Sequence, residues 1–492
     1  MARYAKFFSV GGGGGGTNNL QLPIGTVLDA TLRQVQDGTG TGSPLYLSIN
    51  RVGITSDPTV TTQTSSVIQA NTTNANLVIA PNGTGSLVAS IPDGTAAGGN
   101  ARGVNAVDLQ ISRANANEVA SGQQSVIVGG YNNRASGIFS IAGGGQNIAT
   151  NQYALCLGGG FNTSSGGFST VTGGSGNTAS SNWTTVSGGE SNTAGPGSWT
   201  TVGGGSTNTA SSNYSTVSGG QSNTASTNTH ATVVGGQQNV ASGPRATVGG
   251  EASTSSGQVS TAFGYQAVAN GYGAVYLGFQ GTSSGSYAFS GGLGHTASAR
   301  STVCLGESNT ASSQGAIALG TLSKAYLYGQ QSLSSGLFSV QGDAQQSQTT
   351  SRREAALTTG GTTVLGLDGS GGPSNTLIPD GNNRSWNVQV RWVAVVTSIT
   401  GTATGVTVGD TKTSTDLLAV ARRGGVTTVS AHTSAGTQVI ETIAGSLTAA
   451  NIAYTAGGFG QMQITFTGPT FAGGGSVTMR VVAATSITEV AY

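Results

Sequence analysis

Charged side chains are scarce in this sequence. Only 7% of its 492 residues are charged, and its 18 basic and 17 acidic residues nearly balance, whereas about 25% charged residues are usual in a globular protein. Binding to nucleic acid needs a basic surface, because contacts with phosphates supply much of the affinity. The composition therefore predicts no nucleic-acid partner.

Cysteines and long apolar runs are also rare. Cys156 and Cys304 are the two cysteines, and neither has a partner at the spacing of a metal site, so we expect no metal and no cofactor. No stretch of about 20 apolar residues occurs, which argues against a helical membrane anchor. The residues before the glycine run 11–16 lack the apolar segment of a secretory signal. We expect neither membrane insertion nor Sec-dependent export.

Carboxylates are almost missing from the middle of the chain. Between Gln124 and Gly336 there is no aspartate, and the glutamates are Glu190, Glu251 and Glu307. Most glycosidases need two carboxyl groups about 5 to 9.5 Å apart, which widely separated single residues do not offer. The histidines lie in different repeats or domains, where surface or packing roles are expected: His230, His295 and His432. We therefore expect no enzyme and no catalytic residues.

Glycine is abundant instead, with 83 residues, and much of it belongs to a repeated phrase. From about Ser125 to Gly336 an apolar residue, a glycine pair, an asparagine and a small residue recur every 14 to 16 residues. This period is too short for a helix pair or a propeller blade, whose repeats have about 33 to 45 residues, and it suits one coil of a β-solenoid. We call the asparagine position the slot; it is held by Asn133, Asn147, Asn162, Asn177, Asn192, Asn208, Asn223, Asn239 and Asn309, and in weaker copies by Ser253, Ala267, Gly281, His295 and Ser323.

The residues around the slot predict the inside of the coil. Two residues after the slot the chain is nearly always Ala or Ser, which fits a corner where the coil turns inward. Six residues before it the chain is mostly apolar, as expected for the inner face of a strand. The predicted interior column is Ile127, Ile141, Cys156, Val171, Val186, Val202, Val217, Val233, Val275, Phe289, Val303 and Ile317. Cys156 is then a small buried hydrophobe.

Such a short coil encloses a very thin core. Ordering a residue costs about 1 to 2 kcal/mol in backbone entropy, and glycine loses the most conformational freedom, so a single roll is poorly supported. Three rolls wrapped around a common axis would bury a second face of each. We therefore expect a homotrimer.

Two sets of motifs resemble known families. The phrase Ser-Thr-Val-Ser-Gly-Gly-Gln-Ser-Asn-Thr-Ala-Ser, residues 215–226, resembles the head repeats of trimeric autotransporter adhesins, which implies a trimeric left-handed parallel β-roll. The flanking motifs, Pro-Asp-Gly at 92–94, Gly-Gly-Asn-Ala-Arg-Gly at 98–103 and Gly-Asp-Ala-Gln at 342–345, resemble bacteriophage fibre proteins that carry the same roll. The resemblance covers roughly residues 80–492. It implies that the C-terminal domain is distal on the particle.

Composition and strand patterns divide the chain into five segments. We expect a flexible glycine-rich N-terminal segment (1–19), a β-rich virion-attachment and lead-in region (20–123), a β-roll of about fourteen repeats (124–340), a polar link (341–357) and a C-terminal β-sandwich (358–492). The last segment alternates apolar and polar residues, with turns every 8 to 15 residues. It is the candidate receptor-binding domain. The predicted fold class is all-β throughout.

One column of the repeats is aromatic. Nine residues before the slot come Ile138, Tyr153, Phe168, Trp183, Trp199, Tyr214 and His230. At strand spacing these side chains would form a ladder along one edge of the rod. The aromatic ladder either braces the roll or the trimer contact, or offers a sugar-binding stripe, because flat apolar rings suit pyranose faces. Its candidate site residues are Tyr153, Phe168, Trp183, Trp199 and Tyr214.

The leading hypothesis is a structural tail or head fibre of a phage virion that mediates attachment to the host cell. Its partners would be two further copies, other virion proteins bound through the N-terminal region, and a bacterial surface polysaccharide or outer-membrane protein. It would work on the virion, after assembly in the host cytoplasm.

Two alternatives remain open. The first is a bacterial trimeric surface adhesin, a family that needs a signal peptide and a coiled-coil stalk, neither of which is found here. The second is a fibre-borne polysaccharide depolymerase. Its acids would have to come from the aspartates outside the repeats: Asp343, Asp368, Asp380, Asp410 and Asp416.

Overall fold

The computed structural model describes residues 83–337, 341–342, 344–369, 384–423, 426–431, 442–443, 447, 450–456 and 462–491. These residues form strands, bridges, turns and bends, with no α-helix among them. The predictions for residues 1–82, namely the glycine-rich segment 1–19 and most of the attachment region 20–123, lie outside the described residues.

From Leu87 to Ser335 the chain winds into a parallel β-solenoid of about 15 coils. Strands of successive coils pair in parallel, and most coils contribute to two ladders. The first ladder contains β1 (Leu87–Val88), β2 (Val107–Asp108), β3 (Val126–Tyr131), β5 (Ile141–Gly145), β7 (Leu155–Gly160), β9 (Thr170–Val171), β11 (Thr185–Val186), β13 (Thr201–Val202), β15 (Thr216–Val217), β17 (Thr232–Gln237), β19 (Thr247–Glu251), β23 (Phe289–Leu293), β25 (Val303–Glu307), β27 (Ile317–Thr321) and β29 (Gln331–Ser335). The second contains β4 (Arg134–Ala135), β6 (Ile148–Ala149), β8 (Thr163–Ser164), β10 (Thr178–Ala179), β12 (Thr193–Ala194), β14 (Thr209–Ala210), β16 (Thr224–Ala225), β18 (Val240–Ala241), β20 (Thr254–Ser255), β24 (Thr296–Ala297), β26 (Thr310–Ala311) and β28 (Lys324–Ala325), while β21 (Thr261–Ala269) and β22 (Val275–Ser283) run through both.

The repeat pattern places the start of the roll at residue 124, but in the structure the parallel ladder begins earlier. Leu87 of β1 pairs with Val107 of β2, which pairs with Val126 of β3. Residues 87–123, expected to be a lead-in, therefore supply the first coils. The repeat pattern missed them because these coils are longer than the repeats and do not carry the repeated phrase.

The interior column is confirmed in part. Ile127, Cys156 and Val171 are fully buried, and Ala142 lies in register between the first two. In several 14-residue coils, however, the interior position comes five residues before the slot, because the arc between them is one residue shorter. The fully buried column there is Ala142, Val248, Ala262, Tyr276, Ser290, Cys304 and Ala318. The prediction was wrong for the residues one position earlier, which face outward and are half-buried or exposed: Ile141, Val275, Phe289, Val303 and Ile317.

The second glycine of the repeated pair lets neighbouring coils approach closely. Gly205 has a φ of +89°, and a Cβ atom there would lie 2.0 Å from the carbonyl oxygen of Gly220 in the next coil. Gly189 and Gly220 likewise combine a positive φ with a close approach to a carbonyl oxygen of the next coil. A side chain would force the coils apart, so only glycine fits this column.

A buried polar cluster holds the first coils together. Asp108 is fully buried and accepts hydrogen bonds from Arg102 Nε at 2.8 Å and from Arg113 Nη2 at 3.1 Å. Arg113 also donates to the carbonyl of Gln110 at 2.7 Å, and Gln110 Oε1 accepts the N–H of Asn133 at 2.9 Å. Arg102 belongs to the motif at 98–103, so this motif and its ion pairs join the irregular first coils to the first slot residue.

After β29 the chain reverses, and strand pairing becomes antiparallel. The strands that follow are β30 (Ala344–Leu357), β31 (Thr362–Val364), β32 (Arg384–Thr400), β33 (Thr411–Arg423), β34 (Val426–Ala431), β35 (Thr442–Ile443), β36 (Asn451–Ala456), β37 (Met462–Thr467) and β38 (Ser476–Ala491). One sheet runs in the order β29, β30, β38, β32, β33, β34, and a small second sheet runs β31, β37, β36. Apolar side chains of both sheets form one core around Trp386, Trp392 and Phe466.

Residues 344–357, within the expected polar link, form the long strand β30. Alternate residues of this strand are buried, but they are polar: Gln345, Ser347, Thr349 and Ser351. The strand was missed because the usual signal, an apolar residue at every second position, is absent.

Candidate functional site

The aromatic side chains singled out in the sequence stack into a continuous ladder. The rings of Tyr153, Phe168, Trp183, Trp199 and Tyr214 follow one another with centroid separations of 4.7, 5.4, 5.0 and 5.0 Å. Their planes lie within 22° of parallel. The structure thus brings all five residues together on one edge of the solenoid.

The aromatic ladder extends by one ring at each end. His230 stacks on Tyr214 at 4.8 Å, in the position that the sequence gives it. At the other end Phe139, and not Ile138, stacks on Tyr153 at 5.1 Å. The column shifts by one residue here because the coil that ends at Asn147 is one residue shorter between ring and slot.

Each ring is carried by a residue in the left-handed helical region. The φ angles of Tyr153, Trp183 and Trp199 are 56°, 55° and 56°. The N–H groups of Trp183 and Trp199 donate to the carbonyls of Gly167 and Asn182 in the preceding coil, at 2.9 and 3.1 Å. This conformation costs an ordinary residue about 1 to 2 kcal/mol, and an aromatic pair contributes about 0.5 to 1.5 kcal/mol beyond its buried area. Stacking therefore offsets much of the strain of these corners.

The faces of the inner rings are covered by their neighbours. Trp183 and Trp199 are 45% and 44% exposed, and each ring lies between two others, so it is the ring edges that reach solvent. A sugar that stacks on an aromatic side chain needs a ring face. In this ladder the outer faces of Phe139 and His230 are the ones not covered by another ring.

The slot forms a second ladder, which is polar and runs inside the solenoid. The N–H of Asn192 donates to Oδ1 of Asn177, and Oδ1 of Asn192 accepts the N–H of Asn208, both at 3.0 Å. Nδ2 of Asn192 donates to the carbonyls of Gly188 and Gly205 at 2.9 and 2.8 Å. This asparagine ladder runs through fully buried residues: Asn133, Asn147, Asn162, Asn177, Asn192, Asn208, Asn223 and Asn239. The sequence revealed the slot but not this role, in which each side chain satisfies backbone groups of two coils.

Where the slot holds glycine, another side chain replaces the asparagine. A Cβ atom at Gly281 would lie 2.2 Å from the hydroxyl oxygen of Tyr276, which reaches the slot from the interior column. This hydroxyl donates to the carbonyl of Phe279 at 3.1 Å and accepts the N–H of His295 at 3.4 Å. Tyr276 and Gly281 therefore act as a matched pair.

His295 continues the polar ladder in the next coil. Its imidazole is buried, Nε2 lies 2.9 Å from the carbonyl of Gly291, and Nδ1 accepts the N–H of Asn309 at 3.1 Å. These partners require a neutral ring with its proton on Nε2. Burial lowers the pKa of His295, which favours the same form.

Two of the aspartates on which a depolymerase would depend accept hydrogen bonds from neighbouring groups. Asp410 accepts the N–H and the hydroxyl of Thr407 at 2.9 and 2.7 Å. Asp416 accepts hydrogen bonds from Trp392 Nε1 at 3.2 Å and from the hydroxyl of Tyr454. Both carboxylates therefore hold local structure together.

The other candidate groups are placed as follows. Asp368 is exposed in the turn after β31, while Asp343, Asp380 and His432 lie outside the described residues. Within the described ranges, no three His, Cys, Asp or Glu side chains are grouped as a metal site would need. No helix in this part of the chain is long and apolar enough to span a membrane.

Both cysteines are buried as free thiols. Burial raises the pKa of Cys156 to about 11 and that of Cys304 to about 12. The predicted packing role of Cys156 is confirmed, because its side chain is fully buried in the interior column, in register between Ala142 and Val171. A buried neutral thiol is also chemically inert.

Comparison with known proteins gives weak structural neighbours. No protein-family model matches the sequence, and no curated protein matches it. Among solved structures, the tailspike protein of Acinetobacter phage vB_ApiP_P1 aligns with 83% of this chain and 80% of its own, at 9% identity and a TM-score of 0.23. The tailspike protein of Acinetobacter baumannii phage AM24 aligns with 83% of this chain and 77% of its own, at 10% identity and a TM-score of 0.20. Both of these neighbours are phage tailspike proteins, and both TM-scores lie below the range of a shared fold.

Proposed function

We propose that this protein is a structural fibre of a bacteriophage virion that attaches the particle to a bacterial cell. The N-terminal region docks on the particle, the solenoid is a spacer, and the C-terminal region, proposed as a β-sandwich, contacts the host surface. The observation that carries the proposal is the unbroken solenoid, taken with the resemblance of its flanking motifs to phage fibre proteins.

The internal bonding of the solenoid suits a spacer. About 15 coils at a strand spacing of about 4.8 Å make a rod of roughly 70 Å. The asparagine ladder and the aromatic ladder both run from coil to coil, so bending the rod would break hydrogen bonds and stacking at once. These contacts support a role in holding two ends apart.

We propose that the rolls are left-handed, as the resemblance to adhesin heads implies, and that they form a trimer. Apolar side chains on the outer face of the first ladder support the trimer. Leu277, Leu305 and Leu333 occupy one outward column and are 42%, 39% and 56% exposed. Extended apolar surfaces of this kind usually mark a contact with another protein. Two further copies of the chain would cover these side chains and thicken the thin core.

We also propose that the aromatic ladder braces the solenoid. The covered ring faces and the strained corners support bracing over a sugar-binding stripe. The polysaccharide contact then belongs to another surface of the fibre.

The proposal is tested on purified particles and purified protein. Antibody against the chain should label virions, the native assembly should have about three times the 48.3 kDa mass of the chain, and free protein should compete with virions for host cells. Absence from virions would contradict the fibre. Release of reducing sugar from host polysaccharide by the protein would instead favour the depolymerase.

A further inference from the structure

A polar cavity lies where the solenoid meets the antiparallel sheet. It has a volume of about 300 Å³ and is lined by residues of the last coil and of β30, β38 and β32. Gln331, Gln348, Ser486 and Gln389 follow one another in register across four neighbouring strands. The cavity wall is therefore a transverse row of amides and one hydroxyl, with a span of about 14 Å at strand spacing.

A second row adds the positive charge. Thr350, Ala484 and Arg391 are in register across β30, β38 and β32, directly beside the first row, and all three line the cavity. No acidic residue lines it. On this sheet Glu354 pairs with Arg480, and Glu489 pairs with Arg384. The cavity thus carries one uncompensated positive charge.

The polar side chains of the cavity have no partners within the described part of the chain. This holds for the amides of Gln331, Gln348 and Gln389, for the Ser486 and Thr350 hydroxyls, and for the Arg391 guanidinium. Neighbouring glutamines differ. Gln330 donates to the Ser347 hydroxyl at 3.0 Å, and Gln345 donates to the Lys324 carbonyl at 2.9 Å. The unpaired donors and acceptors of Gln331, Gln348 and Arg391 lie on the solvent-facing side of the sheet, where a ligand can reach them.

We infer that this cavity, which we call the junction site, binds an acidic sugar unit of a bacterial surface polysaccharide. Amides and hydroxyls both donate and accept, which matches sugar hydroxyl groups, and a free guanidinium pairs with a carboxylate or a phosphate in a two-bond contact. The inference rests on the proposed attachment function and names the part of the fibre that recognises the host. The cavity has no aromatic lining, so recognition rests on hydrogen bonds and charge.

The test is binding of the full-length protein to bacterial polysaccharide fragments that carry uronic acids, carry phosphate, or are neutral. We expect wild-type protein to bind an acidic class. Arg391→Gln should weaken this binding about tenfold or more, because hydrogen bonds to charged groups are the stronger ones. Gln348→Ala should weaken it less. Arg480→Gln is the matched control: it removes a surface arginine of the same sheet outside the junction site, and binding should stay at the wild-type level.

The outcomes separate the junction site from the fibre function. Wild-type protein that binds no acidic fragment, or Arg391→Gln protein that binds as wild type does, overturns the site. If the protein that gives either result still competes with virions for host cells, the fibre function stands without the junction site. A change in native mass on Arg391→Gln or Gln348→Ala also overturns the inference, because the cavity is then covered by another copy of the chain.

Discussion

At the scale of single residues, the asparagine ladder decides whether coils stay in register. Each slot asparagine links its own coil to both neighbours through buried hydrogen bonds. A side chain that only filled the space would leave these backbone groups without partners, and an unpaired buried group costs about 1 to 3 kcal/mol. The ladder is thus a requirement of the fold and not a surface for chemistry.

We predict that Asn192→Ala destabilises the solenoid by at least about 2 kcal/mol, because the carbonyl of Gly188 and the N–H of Asn208 lose their partner. The carbonyl of Gly205 keeps its hydrogen bond from the N–H of Glu190. Chemical denaturation followed by circular dichroism measures the loss. The control is Thr193→Ala at the adjacent, partly exposed position, for which a change within about 0.5 kcal/mol is expected. Equal effects of the two variants would show that the ladder contributes little.

His295 makes one coil sensitive to pH. Burial lowers its folded pKa below the ordinary 6.5, so the folded state binds fewer protons than the unfolded state does. The stabilising contribution is present above pH 6.5 and is lost as the pH falls through that value toward the folded pKa. Protonation of Nδ1 also removes the hydrogen bond that this atom accepts from the N–H of Asn309 at neutral pH, because the two N–H groups then repel each other. The titratable neighbours Tyr276 and Cys304 have raised pKa values through burial and stay neutral in this range.

We predict that His295→Asn removes much of this acid sensitivity. Asparagine is the ordinary slot residue, and its Oδ1 and Nδ2 can take over the contacts with Asn309 and Gly291. Unfolding midpoints at pH 5 and pH 7.5 should differ clearly in wild-type protein and much less in the variant. An unchanged difference would assign the pH dependence to another group.

At the scale of the repeated element, the aromatic ladder lines one corner in seven consecutive coils. Its residues accept a left-handed conformation that glycine adopts more easily, and they gain stacking that glycine lacks. This exchange makes sense for a brace. It makes less sense for a sugar stripe, which needs uncovered faces.

We predict that Trp183→Ala with Trp199→Ala lowers the stability of the solenoid by about 1.5 to 4.5 kcal/mol, the contribution of the three stacked pairs that are lost, and leaves glycan binding intact. Thermal unfolding and the polysaccharide binding assay measure the two effects. The control is Phe at both positions, which keeps a stack. Full stability with lost glycan binding would revive the sugar-binding stripe.

The repeat period was enough to predict coils, the small corner residues and the aromatic column, because these features recur within 14 to 16 residues. The period was not enough to predict the exact residue in every coil, because some coils are one residue shorter. In one such coil Ala142 and not Ile141 faces the interior, and Phe139 and not Ile138 joins the aromatic ladder. The replacement of a slot asparagine by Tyr276 depends on two columns at once, so no single column shows it. Gln331, Gln348, Gln389 and Ser486 meet in the junction site through pairing between distant strands, which local patterns do not encode.

At the scale of the whole molecule, the outward leucine column is the surface through which we propose that the solenoid forms a trimer. Leu277 and Leu305 lie two coils apart in this column and are partly exposed in the single chain. An isolated chain would leave this apolar surface in water along the later coils. The trimer that we propose would bury it and would make the stability of each chain depend on the other two.

We predict that Leu277→Glu with Leu305→Glu dissociates the assembly. A charge buried without a partner costs several kcal/mol, and a trimer would contain six. Native mass should fall from about three times 48.3 kDa to a single chain or to aggregate, as measured by light scattering or native mass spectrometry, with circular dichroism as a check on the fold. The control is Val408→Glu, a change at a 61% exposed residue in the turn before β33, which should leave the mass unchanged. A double variant that remains a trimer of wild-type stability would move the trimer contact to another face of the rod, because six unpaired charges cannot be buried without a measurable loss.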